Sequence, residues 1–477
     1  MKDKDTMDNM ELAAMPEKTG EPAVQAPEAD QADQADQADQ ADQAGTQPEQ
    51  DVRPDEAGDS LPPAGKEKKD KKDKKVRKDK TDKKESLKPV RRNWFARFLL
   101  CCISFALILL VVNLVYYKLG MEPFGMKSVA VGDAKIQYID FFTYYVDVLH
   151  GTRSLTYDFS NMLGGSSVGM FSYYLASPFN LLLYFFGKEG VYRFFDVAVA
   201  LKLATAGATF SWFLQRRFED RIRPVFVIAL SMGYGLMQYQ IAQSSNIMWL
   251  DGIYMLPLIL LGVYEVINRK SVWRLVLAVT VCILCNWYIA GINCLFSGIW
   301  FMFEFFFRDT IIPEKKLKAS GVPDRRYSGS RRRTSLPQLG ITEFVVSFCR
   351  YVWGMGLGVA MSAVLFLPAI SAIRQGRGQY DDIEIEMKFV GDLLSSLKGY
   401  VIGTTSDYGF AALFCGGIAV FASLGLVFSG HWKIRQKIAY LCLLVICFLM
   451  LHWEPAMMIF SLLKRADSYW YRYSHLV

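Results

Sequence analysis

Long apolar runs, separated by short polar or basic segments, recur from about residue 98 to residue 477. A run of about 20 apolar residues is long enough to cross a bilayer as a helix. The pattern predicts about nine spans, at residues 98–117, 194–214, 224–240, 248–267, 275–290, 294–307, 344–370, 408–428 and 438–453. We therefore expect an all-α polytopic membrane protein whose membrane domain covers residues 98–477.

The first 97 residues have a different composition. Residues 1–65 are polar and include an Ala-Asp-Gln repeat, and such a segment buries too little apolar area to offset its ordering entropy. We predict a disordered N-terminal tail there. Residues 66–97 are rich in lysine, which suits either RNA or anionic lipid headgroups, and the adjoining apolar run favours the lipid. A basic juxtamembrane segment is expected, with no nucleic-acid partner.

Basic segments between the apolar runs predict the topology, because cytoplasmic loops carry an excess of Lys and Arg. The N-terminus is then cytoplasmic, residues 308–343 form an inner basic loop, and residues 118–193 and 371–407 form outer loops. An odd number of spans leaves Val477 outside, which suggests a piece of a longer protein. The nine cysteines lie in or beside apolar runs, so no disulfide framework is indicated.

The first outer loop carries the candidate chemistry. If residues 132–150 are helical, Asp133, Gln137, Asp140 and Tyr144 share one face at positions i, i+4, i+7 and i+11. This face either turns towards a cavity or is merely solvated. The apolar residues on the other side would lie in the membrane interface.

A segment rich in Gly, Ser and Asn follows, and then an aromatic Ser-Pro-Phe-Asn run that is too short and broken for a span. It predicts a re-entrant or interfacial element, and its polar and aromatic side chains are candidates for substrate binding. They are Asn161, Tyr173 and Asn180.

Charged residues in or near later spans complete the candidates. Asp251 lies close to the outer end of its run, where a substrate contact and a helix-packing hydrogen bond are alternatives. Outer arginines are unusual, and guanidinium groups match phosphate oxygens. The four candidates are Arg374, Arg377, Arg465 and Arg472. Pairing with nearby aspartates is the competing explanation.

The motifs GDAKIQY, SNMLGGSSVGMFSYYLASPFNLL, WLDGIYMLPLILLG and YWYRYSHL resemble the bacterial YfhO family, itself similar to the GT-C glycosyltransferase superfamily. The resemblance implies a GT-C-like helical bundle that takes sugar from a polyprenyl-phosphate donor. The acceptor would be an envelope glycopolymer such as teichoic acid, or a lipid, on the outer face. An acid in the first outer loop then acts as general base or metal ligand. Asp133 matches this position, with Asp140 as a helper.

No cofactor is otherwise indicated, and a divalent cation, Mg²⁺ or Mn²⁺, at Asp133 stays open. Two rival functions need no catalytic base. One is a flippase or transporter for a lipid-linked sugar, and the other is a non-catalytic membrane scaffold. No Walker A motif is present, which disfavours ATP-driven transport. Substitution of Asp133 separates a transferase from both rivals.

Overall fold

The protein is described by a computed structural model over residues 92–159, 164–307, 340–376, 385–391, 397–404, 406, 411–430, 432–463, 469 and 471–477. Its α-helices are α1 Trp94–Leu119, α2 Ile139–Leu149, α3 Val168–Met170, α4 Leu183–Phe186, α5 Val191–Arg217, α6 Pro224–Gly235, α7 Gln238–Ala242, α8 Leu250–Ile267, α9 Trp273–Cys285, α10 Trp287–Phe307, α11 Ile341–Gly376, α12 Gly417–Phe428, α13 Ile434–His452 and α14 Glu454–Phe460. Two π turns (Ala134–Tyr138, Phe171–Leu175), two 3₁₀ turns (Pro178–Leu182, Ser474–Leu476) and the antiparallel strands β1 Tyr157–Asp158 and β2 Gly165–Ser166 complete the described elements.

Within the described residues, seven helical stretches are long and apolar enough to cross a membrane. They are α1, α5, α6 together with α7, α8, α10, α11 and α13. The helices Trp273–Cys285 and Gly417–Leu426 are apolar but shorter. The prediction of an all-α polytopic membrane protein is confirmed.

Helix α8 is the centre of the bundle. Almost every one of its residues is buried, and α5, α9, α10 and α11 pack around it. Two of its glycines permit this packing: a Cβ at Gly252 would overlap Ile289 of α10, and one at Gly262 would lie 2.7 Å from Leu275 Cα of α9. Small residues let membrane helices approach closely, so the two glycines allow the backbone of α8 to pack directly against α9 and α10.

One predicted boundary is wrong. The hydrophobic pattern places one span at residues 275–290 and the next at 294–307, but the break falls at Asn286, between α9 and α10. Asn286 adopts an extended conformation, with φ −161° and ψ 104°. Its side-chain oxygen accepts from the N–H of Ile289 at 2.9 Å, as an N-cap does. The polar cap therefore decides where the chain turns.

The predicted polar face of the first loop is only partly correct. Asp133, Gln137 and Asp140 are exposed, but Tyr144 is buried and Ile136 is exposed. The π turn Ala134–Tyr138 adds a residue to the helical repeat, so positions before and after it leave the expected 3.6-residue register.

Several predicted regions lie largely or partly outside the described residues. The tail 1–65 lies wholly outside them, and the basic segment 66–97 is described only from residue 92. Of the inner loop 308–343, residues 308–339 lie outside. The outer loop 371–407 is described in pieces.

Candidate functional site

Aromatic side chains gather at the end of the bundle where α5, α8 and α10 begin, which we call the aromatic end. The aromatic cluster is Tyr138, Tyr173, Tyr174, Trp249, Tyr288 and Tyr469. The Trp249 indole N–H donates to the Tyr173 hydroxyl at 3.1 Å. The ring centroids of Trp249 and Tyr469 lie 5.8 Å apart in an edge-on arrangement. Residues from five separate stretches of sequence thus form one cluster.

Hydrogen bonds to two asparagines orient this cluster. The Asn286 amide, at the break between α9 and α10, donates to the backbone oxygen of Tyr173 at 2.9 Å. The Tyr138 hydroxyl donates to Asn246 Oδ1 at 3.0 Å. Burial raises the pKa of Tyr138 and of Tyr173 above the ordinary tyrosine range, so both stay neutral hydrogen-bonding groups.

Arg472 lies against this cluster. Its guanidinium carbon is 5.5 Å from the ring centroid of Trp249 and 6.0 Å from that of Tyr288, which is cation–π distance. Its Nε donates to the Tyr469 backbone oxygen at 3.3 Å, and its own backbone oxygen accepts from the Tyr239 hydroxyl at 2.6 Å. The side chain is half-buried. A cation is thus held on an aromatic wall.

Asp133 joins the cluster through Tyr469. The carboxylate is exposed at the start of the π turn Ala134–Tyr138, and the Tyr469 side chain lies beside it. Burial, and then the charge of Asp133, raise the pKa of Tyr469 above its ordinary value. The Tyr469 phenol therefore keeps its proton next to the carboxylate. The predicted residues Asp133, Tyr173 and Arg472 lie around one site.

The loop leading to Asp133 is tied down by Asp196, which sequence reasoning missed. Its Oδ1 accepts from the Ser128 hydroxyl at 2.6 Å and from the Val129 N–H at 3.0 Å. The side chain of Asp196 is fully buried near the start of α5. The signal available in the sequence was an acid within an apolar run. Placing an ionisable side chain in a membrane segment costs free energy, so such a residue usually has a structural or functional role.

Asp251 lies in the interior, 1% exposed, and pairs with Lys202 of α5 at 2.8 Å. Its other oxygen accepts from the Ser177 hydroxyl at 2.7 Å and from the Tyr254 hydroxyl at 2.9 Å. The Lys202 ammonium also donates to the backbone oxygen of Ile247 at 3.0 Å. This network joins the Ser-Pro-Phe-Asn run to α5 and α8. The substrate-binding role of Asp251 stays a prediction.

The other predicted site residues are placed as follows. Asn180 is buried, and its amide donates to the backbone oxygens of Tyr174 and Leu175 at 3.2 and 3.1 Å. Asp140 and Gln137 are exposed, and Arg374 is exposed on the last turn of α11. Asn161, Arg377 and Arg465 lie outside the described residues. Among the residues that the structure describes, no three His, Cys, Asp or Glu side chains are grouped as metal ligands.

The opposite end, which we call the basic end, is closed by ion pairs. Three buried carboxylates there are held by arginines: Asp220 by Arg97 at 2.6 Å, Glu304 by Arg217 at 2.6 Å, and Glu265 by Arg216 at 3.3 Å and by Arg274. These pairs connect the ends of α1, α5, α8 and α10. The arginine partners of Asp220 and Glu304 are far away in the sequence, so residue spacing alone does not reveal these pairs.

The chain matches a known protein family. Residues 104–477 match the family described as bacterial membrane protein YfhO. No curated protein and no solved structure matches. The match covers most of the chain and includes every element of the aromatic end. The chain therefore belongs to the YfhO family of bacterial membrane proteins, and it is a multi-pass membrane protein.

Proposed function

We propose that this protein is a membrane glycosyltransferase of the GT-C-like type. It takes a sugar from a polyprenyl-phosphate carrier and transfers it, on the extracytoplasmic face, to an envelope glycopolymer such as teichoic acid or to a lipid. The aromatic end carries the site, with the N-terminus in the cytoplasm. Membership of the YfhO family and the resemblance of that family to GT-C enzymes support this reaction class.

One observation carries the proposal: a carboxylate, a guanidinium and an aromatic wall meet at one end of the spanning helices. Asp133 lies beside Tyr469, and Arg472 lies on Trp249 and Tyr288. A lipid-linked sugar phosphate presents matching groups, since its phosphate is anionic and the faces of its sugar ring pack on aromatic rings. Its hydrocarbon tail would remain in the bilayer beside the helices.

The chemistry assigns a role to each group. The acceptor hydroxyl oxygen attacks the anomeric carbon, and its proton passes to the Asp133 carboxylate. The bond between that carbon and the phosphate oxygen breaks, and its electron pair leaves with the phosphate. Arg472 stabilises the charge that develops on the phosphate. A Mg²⁺ or Mn²⁺ ion bound at Asp133, if one is used, would supply further charge to the leaving phosphate.

The test compares Asp133→Asn with the wild type and with a deletion of the gene, and measures the sugar content of the envelope polymers. Asn keeps the shape of Asp but cannot take a proton. We expect transfer to fall by about 100-fold or more while binding of the lipid-linked donor persists. Glu189→Gln is the matched control, because Glu189 is an exposed acid in the same loop region.

Retention of full sugar transfer by Asp133→Asn would contradict the catalytic role. A flippase would show this result together with continued movement of the lipid-linked sugar across the membrane. A scaffold would show unchanged transfer and no donor binding. Loss of transfer in Asp133→Asn with donor binding retained supports the transferase alone.

A further inference from the structure

A pocket of about 640 Å³ opens at the aromatic end, beside the last turn of α1. The side chains that matter for its chemistry are Leu119, Met126, Lys127, Ser128, Lys135 and Tyr192. It lies on the side of the loop that holds Asp133, but neither Asp133 nor Arg472 lines it. Its lining combines apolar side chains with two lysines.

The cationic side consists of Lys127 and Lys135. Neither lysine forms a salt bridge with any residue that the structure describes, whereas Lys188 in the same loop region pairs with Asp147 at 2.7 Å. The nearby acids are engaged or lie off the wall: Glu122 pairs with Arg193 at 3.2 Å, and Asp196 accepts from Ser128. Two ammonium groups therefore face one open pocket, and the residues lining it include no carboxylate.

The surroundings place this pocket at the edge of the hydrocarbon layer. Helix α1 spans up to Leu119, and the loop beyond it exposes Met126 at 95%, Ile136 at 77% and Val131 at 59%. Apolar side chains exposed beside the end of a spanning helix enter the interfacial zone of the bilayer. The two lysines then lie at the level of the headgroups.

We propose that this pocket binds the phosphodiester headgroup of an anionic membrane phospholipid. The phosphate lies between Lys127 and Lys135, the Ser128 hydroxyl is within the same wall, and the acyl chains run along Leu119 and Met126. An interfacial lysine adds attraction to anionic lipids, whereas a zwitterionic lipid gains little. Both leaflets of a bacterial membrane contain such lipids, so the proposal does not depend on topology or on the proposed glycosyltransferase.

The test measures lipid retained by the purified full chain in mixed micelles that contain equal amounts of phosphatidylglycerol and phosphatidylcholine, by native mass spectrometry. We expect the wild type to retain phosphatidylglycerol preferentially. Each lysine should account for about fivefold in affinity, so Lys127→Gln with Lys135→Gln should remove the preference. Lys127→Arg with Lys135→Arg should keep it, and Lys398→Gln, an exposed lysine outside the pocket, is the control.

The outcomes separate the sources of the ligand. No preference in the wild type, or an equal preference in the double glutamine variant, would overturn the proposal. Displacement of the bound lipid by millimolar inorganic phosphate alone would also overturn it, because the apolar wall would then contribute nothing. A preference lost only in the glutamine variant, with the folded fraction unchanged, supports a lipid site.

Discussion

The two ends of the helical bundle use charge in different ways. At the basic end, buried carboxylates form close ion pairs with arginines, as Glu304 does with Arg217. At the aromatic end, Asp133 is exposed beside the Tyr469 phenol, and Arg472 lies on the rings of Trp249 and Tyr288. Buried ion pairs hold helices together, whereas an exposed carboxylate is accessible to a ligand. In the proposed function, the basic end is therefore structural and the aromatic end carries the chemistry.

The largest expected effect concerns the interior pair beneath the aromatic end, Lys202 and Asp251. Asp251→Asn leaves a lysine whose side chain is 0% exposed without its counter-charge. We expect a loss of about 3–5 kcal/mol in the free energy of unfolding, measured by denaturant titration in micelles. Adding Lys202→Met to Asp251→Asn should restore most of this free energy of unfolding, because no unpaired lysine is then buried. If Asp251→Asn keeps its stability but no longer binds the donor, Asp251 would instead have a role in substrate binding.

A smaller loss of stability is expected at the basic end. Glu304→Gln removes the counter-charge of Arg217, whose side chain keeps 16% exposure and therefore some hydration. We expect a loss of about 2 kcal/mol in the free energy of unfolding. Sugar transfer per folded molecule should not change. A lower rate of sugar transfer by normally folded Glu304→Gln would contradict the difference between the two ends, because the basic end would then take part in function.

Arg472→Lys tests the aromatic end with the charge preserved. Lysine cannot stack on Trp249 and Tyr288 as a planar guanidinium does, and it presents no fork to a phosphate. We expect KM for the lipid-linked donor to rise by about tenfold, with kcat less affected. Arg193→Lys, at an exposed ion pair with Glu122, is the control and should leave KM unchanged. An unchanged KM for Arg472→Lys would contradict a role for Arg472 in binding the donor phosphate.

The smallest effect concerns the phenol beside Asp133. Tyr469→Phe removes the hydroxyl beside the exposed Asp133 carboxylate, and kcat should fall by up to about tenfold. The raised pKa keeps the Tyr469 hydroxyl protonated, so the wild-type rate should show no step from this group between about pH 6 and pH 9. A pH–rate profile of both proteins measures this. A change of rate at alkaline pH that the wild type shows and Tyr469→Phe does not would contradict a Tyr469 phenol that stays neutral.

The hydrophobic pattern predicted the fold class because membrane spans depend on local composition. It failed at Asn286, where a cap interrupts an apolar run, and at Tyr144, where a π turn changes the helical register. Both errors have local physical causes. The polar residue at position 286 was a usable sign of the break, whereas nothing in the composition marks the π turn.

The site was predictable only in part. Asp133 and Arg472 were found by type and location, but the contact of Arg472 with Trp249 joins residues more than 200 positions apart. The periodicity of apolar residues gives no information about contacts between residues so far apart in the sequence. The pairing of Lys202 with Asp251 was missed for the same reason, although each residue is conspicuous as a charge in an apolar run.

The stretch that carries Arg472 is anchored deep among the helices. The Tyr473 hydroxyl donates to the Met450 backbone oxygen at 2.8 Å, and His475 Nε2 lies 3.0 Å from Asn293 Oδ1. This stretch follows every spanning helix described here in chain order. During synthesis, the guanidinium thus reaches the aromatic wall only after those helices have entered the bilayer. Under the proposed function, a partly inserted protein would lack the Arg472 guanidinium at the aromatic wall and would not yet turn over a lipid-linked sugar.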